Sequence, residues 1–311
     1  MDKNKIGIIG FGSQGKRIVS ILNKLKKKNY TIYKKTPFNP AIKKTTNDFN
    51  LIKKCGIIFV CSPNRTHFNI IKKLSKGRYI FCEKPPVDTL KELNNIEKID
   101  LSKIYFNFNF RFSKINSSLK STKKYKFGRL LYGNMIMGHG LATKKAFKGS
   151  WRSNKTNGVY DILAIHLIDI IANNFSISKV NKKLSNFISK TGSDNSYFSI
   201  VLKKFGQIDC FVSYTSPFKQ KFEFIFENGM LIIDNNQIIF RGPRNTFNKK
   251  GLFISPKILK HERMNQSKDY VESLRKSIKY FFKTLKNNQR FSKNENKLSL
   301  LSNKLMLNNQ K

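Results

Sequence analysis

The sequence predicts an α/β protein of two parts: a doubly wound parallel sheet over residues 1–117, then an α+β domain with a large, mostly antiparallel open sheet over residues 118–311. Three observations predict it. A glycine-rich turn, Gly10-Phe11-Gly12-Ser13-Gln14-Gly15, joins an apolar run to an amphipathic one. Apolar runs then alternate with helical patterns as far as residue 117. Beyond Phe127 the rhythm changes to successive strand-like runs joined by short turns.

Lys5–Ile9 reads as a strand that stops at the glycine turn, and Lys16–Lys26 places Ile18, Ile21, Leu22 and Leu25 on one helix face. Tyr30–Tyr33 is a second strand. Gly56–Cys61 is uniformly apolar, as a parallel strand covered on both faces should be. A helix at Thr66–Leu74, a strand at Tyr79–Cys82, a helix at Thr89–Ile99 and a strand at Lys103–Asn109 continue the alternation. In the second part Leu130–Met137 is strand-like and Val159–Ala172 is an apolar helix. Strands follow at Tyr197–Phe205, Gln207–Tyr214, Lys221–Glu227 and Met230–Ile233, with turns at Phe205-Gly206 and Asn228-Gly229. Lys268–Leu285 is amphipathic, and Leu298–Leu307 is one more apolar helical stretch.

Composition excludes several classes. At 311 residues, with 39% hydrophobic side chains and 27 Phe, the chain can bury a core without staples and is too apolar to be disordered. No run approaches the roughly 18 apolar residues of a spanning helix, and Met1-Asp2-Lys3 leads into a strand without a signal-peptide layout. The expectation is a cytoplasmic protein with no membrane insertion. Cys55, Cys61, Cys82 and Cys210 stand singly, without CxxC pairs, and read as reduced, mostly buried thiols with no metal.

The net charge of +43, from 61 Lys+Arg against 18 Asp+Glu, first suggests a polyanion partner. Its distribution argues otherwise. Residues 1–117 hold 25 basic and 7 acidic side chains and the remainder 36 and 11, so no basic module stands apart. Only 11 of the cations are Arg, the residue suited to bidentate base and phosphate recognition. The abundance of Lys, Asn, Ile and Phe together points to A/T-rich coding, and a nucleic-acid partner is not expected.

In a G-x-G-x-x-G turn the first glycine permits the tight turn, the second lets a pyrophosphate approach the backbone, and the third lets helix and strand pack. The helix amino terminus offers its free N–H groups to the phosphates. Here Gly10, Gly12 and Gly15, with Phe11, Ser13 and Gln14 between them, follow a strand and open a helix, the context of a Rossmann dinucleotide site. An acidic residue at the end of the second strand would select NAD by accepting from the ribose 2′-OH. The strand ends instead in Lys34-Lys35-Thr36, two ammonium groups and a hydroxyl, which favours the 2′-phosphate of NADP over NAD.

Further motifs follow in a telling order. Cys61-Ser62-Pro63-Asn64-Arg65-Thr66-His67 and Glu83-Lys84-Pro85 each end an apolar strand; then come Asn109-Phe110-Arg111-Phe112, Phe127-Gly128-Arg129-Leu130, Trp151-Arg152 and Ile165-His166-Leu167-Ile168-Asp169. This succession resembles the Gfo/Idh/MocA family of oxidoreductases across nearly the whole chain. Gly138-His139-Gly140 is similar to a subset in surface-polysaccharide and nucleotide-sugar metabolism.

The resemblance implies hydride transfer with NAD or NADP at a sugar or nucleotide-sugar carbon, in a homo-oligomer, dimer or tetramer, built through the open C-terminal sheet. It implies a catalytic Lys84 beside the nicotinamide, oriented by Glu83 in a turn shaped by Pro85, through a cis bond in many relatives, and a catalytic His166 from the second domain. It adds Cys61, Ser62, Pro63, Asn64, His67 and Asn109 to the cofactor site, and places Arg111, Trp151, Arg152, Lys84 and His166 against the substrate. Removing a hydride from an alcohol carbon requires a base for the hydroxyl proton, a task within reach of Lys or His.

One position departs. Relatives commonly carry Asp four residues before this histidine, one helical turn away, and here that residue is Ile162. Asp161, five residues before, is turned about 140° from His166 at 100° per residue and does not substitute; Asp169, three residues after, could share the face. The alternative reading is therefore a catalytically silent dinucleotide sensor or scaffold of the same fold.

Overall fold

The computed structural model describes residues 2–35, 44–148, 150, 152–153, 158–189, 192–287 and 289–308. Thr36 and Trp151 lie outside the described residues.

Short apolar runs build the first unit. Its strands are β1 (Asp2–Ile9), β2 (Tyr30–Tyr33), β3 (Thr45–Thr46), β4 (Cys55–Val60), β5 (Tyr79–Glu83) and β6 (Ile104–Asn107), and its first helices are α1 (Ser13–Lys24), α2 (Phe49–Lys53), α3 (His67–Leu74) and α4 (Leu90–Ile96). The sheet order β3-β2-β1-β4-β5-β6, parallel throughout, reverses between β1 and β4. In doubly wound sheets ligands bind outside the carboxyl ends of the strands at such a reversal. β4 and β6 are buried along their whole length, and burial on both faces accounts for the unbroken apolar sequence of β4; β6 ends in the polar Asn107. In register, Ile9 lies opposite Val60, Val60 opposite Cys82 and Glu83 opposite Asn107, which brings the strand ends level.

The second unit contains α5 (Lys114–Ser121), β7 (Leu130–Gly138), α6 (Lys145–Lys148), a π-helical turn at Tyr160–Ala164 that runs into α7 (Ile165–Ala172), and strands β8 (Ile177–Ser185), β9 (Asn195–Leu202), β10 (Gln207–Ser213), β11 (Lys219–Phe226), β12 (Gly229–Asp234), β13 (Gln237–Arg241) and β14 (Ile258–Arg263). The eight strands lie in the order β14-β13-β12-β11-β7-β10-β9-β8, with β7 and β10 parallel and every other pair antiparallel. Alternation sets one face inward: Phe222, Phe224 and Phe226 of β11 are buried, while Lys221, Glu223 and Ile225 between them are half-exposed.

The predicted boundary at residue 117 is corrected. The first unit comprises residues 1–108 and 275–307, the second 109–274 and 308–311. Helix α8 (Gln266–Lys286) contributes its second half, and α9 (Lys293–Leu307) all its length, to the first unit. The cause is aromatic packing that a linear reading cannot see. Phe281 of α8 meets Phe59 of β4 and Phe81 of β5 edge to face, each at 5.5 Å between ring centroids, and stacks on Phe291 at 5.7 Å. The predicted strand at Lys103–Asn109 stops at Asn107, and Asn109–Phe112 turns into a 3₁₀ helix instead.

Candidate functional site

The glycine turn closes for steric reasons that differ at each glycine. Gly10 sits at φ +94°, where a Cβ would lie 2.7 Å from the Ser62 backbone nitrogen. At Gly15 a Cβ would meet the Gly10 carbonyl oxygen at 2.3 Å. Gly12 is different: a Cβ there would touch nothing within 4 Å, so the turn presents bare backbone to open space. Gly12 also caps α1 without a side-chain hydrogen bond, and no carboxylate stands in that helix's first turn. An uncapped helix amino terminus beside an open glycine is the cradle a pyrophosphate requires, and the residues present fit a dinucleotide.

The ends of β4 and β5 lock onto this turn. His67, fully buried at the start of α3, has Nδ1 2.8 Å from the Pro85 carbonyl oxygen and Nε2 2.9 Å from that of Ser62. It ties the Ser62-Pro63-Asn64 turn to the Glu83-Lys84-Pro85 turn, with Asn64 buried between its neighbours. The Lys84-Pro85 bond is cis, as the resemblance implies. Gln14 Nε2 donates to Glu83 Oε1 over 2.9 Å, and Asn107 Nδ2 donates to the same oxygen over 2.7 Å. Ser277 Oγ in turn donates to Asn107 Oδ1 over 2.6 Å, with Tyr105 Oη 2.8 Å from that hydroxyl.

Burial pushes the Glu83 carboxyl above its ordinary range, against the two amide hydrogen bonds and the charges of Lys84 and Arg17, which favour the ionised form. Lys84, half-buried, follows it directly. Burial also raises the Cys61 and Cys82 thiols well above theirs, with Glu83 adding to both. They are thiols, not thiolates. Lys34 and Lys35 are exposed, the Lys34 N–H donating to the Thr46 carbonyl across the sheet edge.

Asn107, absent from the sequence-derived set, takes the contact with Glu83. Asn109, which the set includes, is buried and donates to Ser273 Oγ over 2.8 Å. The distinction turns on two residues of strand length, since β6 stops at Asn107 and not at Asn109.

In the second unit Arg111 does something other than reach outward. Its Nε and Nη2 donate to the two carboxylate oxygens of Asp169 over 2.9 and 2.6 Å, a bidentate pair whose side chains are only 10% and 1% exposed. Asp169 is thereby committed to Arg111. His166, 8% exposed, stacks on Phe110 with ring centroids 4.6 Å apart and planes 24° from parallel. That stack fixes the imidazole's plane, and Phe110 was not singled out from sequence.

The angle reckoned between Asp161 and His166 is also corrected. The turn Tyr160–Ala164 is π-helical, with hydrogen bonds closing from residue i to i+5. A π-turn holds more residues than an α-turn, so the spacing of 100° per residue does not apply here and Asp161, five before His166, lies nearer the His166 face than an α-helix would place it. Asp161 is buried; burial depresses the nearby Lys182 ammonium against the pull of the Asp161 charge, and burial raises the Tyr160 and Tyr214 hydroxyls well above their ordinary value, with Asp161 adding to both. Burial first, then Arg152 and Lys144, depresses His139, whose ring lies 5.2 Å from that of Tyr214. Among the described residues no group of His, Cys, Asp and Glu could hold a metal ion.

Comparisons with known proteins extend this geometry. No curated protein matches the chain in sequence. Among solved structures it is similar in fold to levoglucosan dehydrogenase in complex with NADH and levoglucosan, at 16% identity over 97% of this chain and 95% of that one, with a TM-score of 0.80. It is similar also to a myo-inositol dehydrogenase from Corynebacterium glutamicum, at 17% identity over 97% and 94% and a TM-score of 0.71. A third is an oxidoreductase from Agrobacterium radiobacter in complex with NAD+, L-tartaric acid and magnesium, at 14% identity over 98% and 94% and a TM-score of 0.76. At these identities the likeness is one of fold. Residues 4–100 match the model of the Gfo/Idh/MocA oxidoreductase family, described as having an NAD-binding Rossmann fold.

Proposed function

We propose that the protein is an NAD(P)-dependent oxidoreductase that transfers a hydride to or from a sugar or nucleotide-sugar carbon. The observation that carries the reading is the hydrogen bond from Gln14 to Glu83, which joins the open glycine turn to the turn that bears Lys84. A bound nicotinamide dinucleotide supplies the hydride donor or acceptor.

The glycine turn and the α1 amino terminus hold its pyrophosphate. Phe11, Ser13, Ser62, Pro63 and Asn64 line the cradle, with Lys34 and Lys35 at the edge where a 2′-phosphate would lie. Glu83, fixed by two amides, orients Lys84, and Lys84 Nζ accepts the proton of the reacting hydroxyl or returns it. His166, held flat against Phe110, serves the sugar as ligand and proton carrier, and Asp161 supplies the carboxylate on its helix face. Arg152 joins the sugar side; Arg111 holds Asp169 and acts as a structural residue.

The uncovered face of the eight-stranded sheet, with Tyr132 38% and Tyr197 55% exposed, serves as the homo-oligomer interface. The subset likeness at Gly138-His139-Gly140 directs the choice of substrates toward nucleotide sugars.

The experiment is a titration of NADH and NADPH followed by fluorescence, then turnover with a panel of sugars and nucleotide sugars. Binding with turnover of at least one substrate is expected. Binding without turnover on any would replace this reading by a dinucleotide sensor or scaffold, and no binding would end both.

A further inference from the structure

Between β13 and β14 the chain leaves the sheet as an arm, residues 242–257. At its base Gly242 N–H donates to the Lys257 carbonyl over 3.0 Å; further out Ile254 N–H donates to Thr246 O over 2.8 Å and Asn248 N–H to Leu252 O over 3.0 Å. Phe247 and Phe253 form an antiparallel bridge with ring centroids 5.1 Å apart. The tip closes where Gly251 N–H donates to Asn248 O over 3.0 Å, with Gly251 at φ +74°. Asn248 Oδ1 accepts two further N–H groups, of Lys250 and Leu252, each over 2.9 Å. The arm is a formed hairpin, not a loose loop.

Its apolar side chains nevertheless face water. Phe253 is 85% exposed, Leu252 60%, Phe247 55% and Ile254 47%, and Ile258 and Leu259 continue the patch into β14. A contiguous apolar surface on an ordered hairpin marks a contact with something else. The charge beside it has one sign: the arm carries Arg244, Lys249, Lys250 and Lys257, and no carboxylate occurs between Asp234 and Glu262.

We propose that this arm docks the protein on an anionic lipid surface, with Leu252, Phe253 and Ile254 in the boundary between headgroups and acyl chains and the basic side chains at the level of the phosphates. Charge selects this occupant. A second copy, meeting the arm across a twofold axis, would bring the same four cations against themselves, in a chain that already carries +43. Nucleic acid would neutralise the lysines but leave the aliphatic Leu252 and Ile254 without an apolar partner. An anionic bilayer satisfies both halves of the arm. No spanning segment is involved, and among the described residues no helix is long and apolar enough to cross a membrane.

The test is co-sedimentation of the full chain with phosphatidylcholine vesicles, with and without phosphatidylglycerol. Binding to the anionic vesicles only is expected. The pair Leu252→Ser and Phe253→Ser should weaken it by roughly tenfold or more, and Lys249→Gln and Lys250→Gln by about fivefold each. Thermal unfolding at an unchanged midpoint shows that these surface variants still fold. Equal sedimentation with neutral vesicles would overturn the proposal, as would none with either, or binding that ignores the apolar pair. Phe253-dependent self-association or single-stranded DNA binding, with no vesicle binding, would assign the arm to those partners instead.

Discussion

Gln14 donates its side-chain amide to Glu83 Oε1 over 2.9 Å, so a residue inside the glycine turn is held by the strand end that precedes Lys84. The same oxygen accepts from Asn107, and one buried carboxylate thereby joins the ends of β5 and β6 to the glycine turn. The network is within one unit and has consequences for stability as well as for chemistry.

Glu83→Ala should leave the Gln14 and Asn107 amides without their acceptor and cost about 1–3 kcal/mol, read as a lower midpoint in denaturant unfolding. An unchanged midpoint would show that the network adds nothing.

The same residue predicts a pH dependence of unusual sign. Its folded pKa lies above the ordinary value of 4.5, because burial disfavours the carboxylate. The folded state then binds the proton more tightly than the unfolded state, so Glu83 contributes stability below about pH 4.5 and loses it as pH rises through its raised folded pKa. Most salt-bridged carboxylates do the opposite. Glu83→Gln should flatten the fall in stability across that window, which urea unfolding at stepped pH measures; an identical slope in wild type and variant would refute it.

If Lys84 moves the hydroxyl proton, Lys84→Ala should lower kcat by about 10²–10⁴-fold while NAD(P)H affinity stays near wild type. Wild-type turnover in this variant on a confirmed substrate would remove lysine from the chemistry.

The π-turn separates two carboxylate variants that an α-helix would rank the other way. Asp161→Asn should lower kcat by about tenfold or more, whereas Ile162→Asp should bring no gain, since the place beside His166 is already taken. Steady-state kinetics of both variants decide it. A rise in kcat on Ile162→Asp would mean that the π-turn does not carry Asp161 into line.

Arg111→Ala should act on stability and not on substrate affinity. Removing the guanidinium leaves the Asp169 carboxylate buried without its bidentate partner, at a cost of about 3–5 kcal/mol. A loss confined to KM, with the unfolding midpoint unmoved, would return Arg111 to the substrate.

Cofactor choice rests on Lys34 and Lys35. Wild type should bind NADPH more tightly than NADH, the gap closing at high salt and in a Lys34→Glu, Lys35→Glu variant. Equal wild-type affinities would sink the preference.

Much of this was legible along the chain, because it depends on interactions a few residues long. The parallel strands announce themselves as uninterrupted apolar runs, since burial on both faces leaves no room for polar side chains. The glycine turn is legible because only glycine tolerates φ +94° at residue 10 and the carbonyl contact at residue 15. Strands β8 and β14 were missed for the converse reason: lysines interrupt Ile177–Ser185, and Ile258–Arg263 lies at a sheet edge with almost no buried side chain, so neither shows a clean period of two. Tertiary structure decided what depends on distance in sequence. Phe281 meets Phe59 and Phe81 across some 200 residues, and draws the C-terminal helices into the first unit. Arg111 is claimed by Asp169, and Asn107 rather than Asn109 reaches Glu83. The π-turn before His166 belongs to the same class: a helical period can be read from apolar spacing, but the wider winding of a π-turn leaves no mark in composition, and only the wound backbone shows which side of the helix Asp161 occupies.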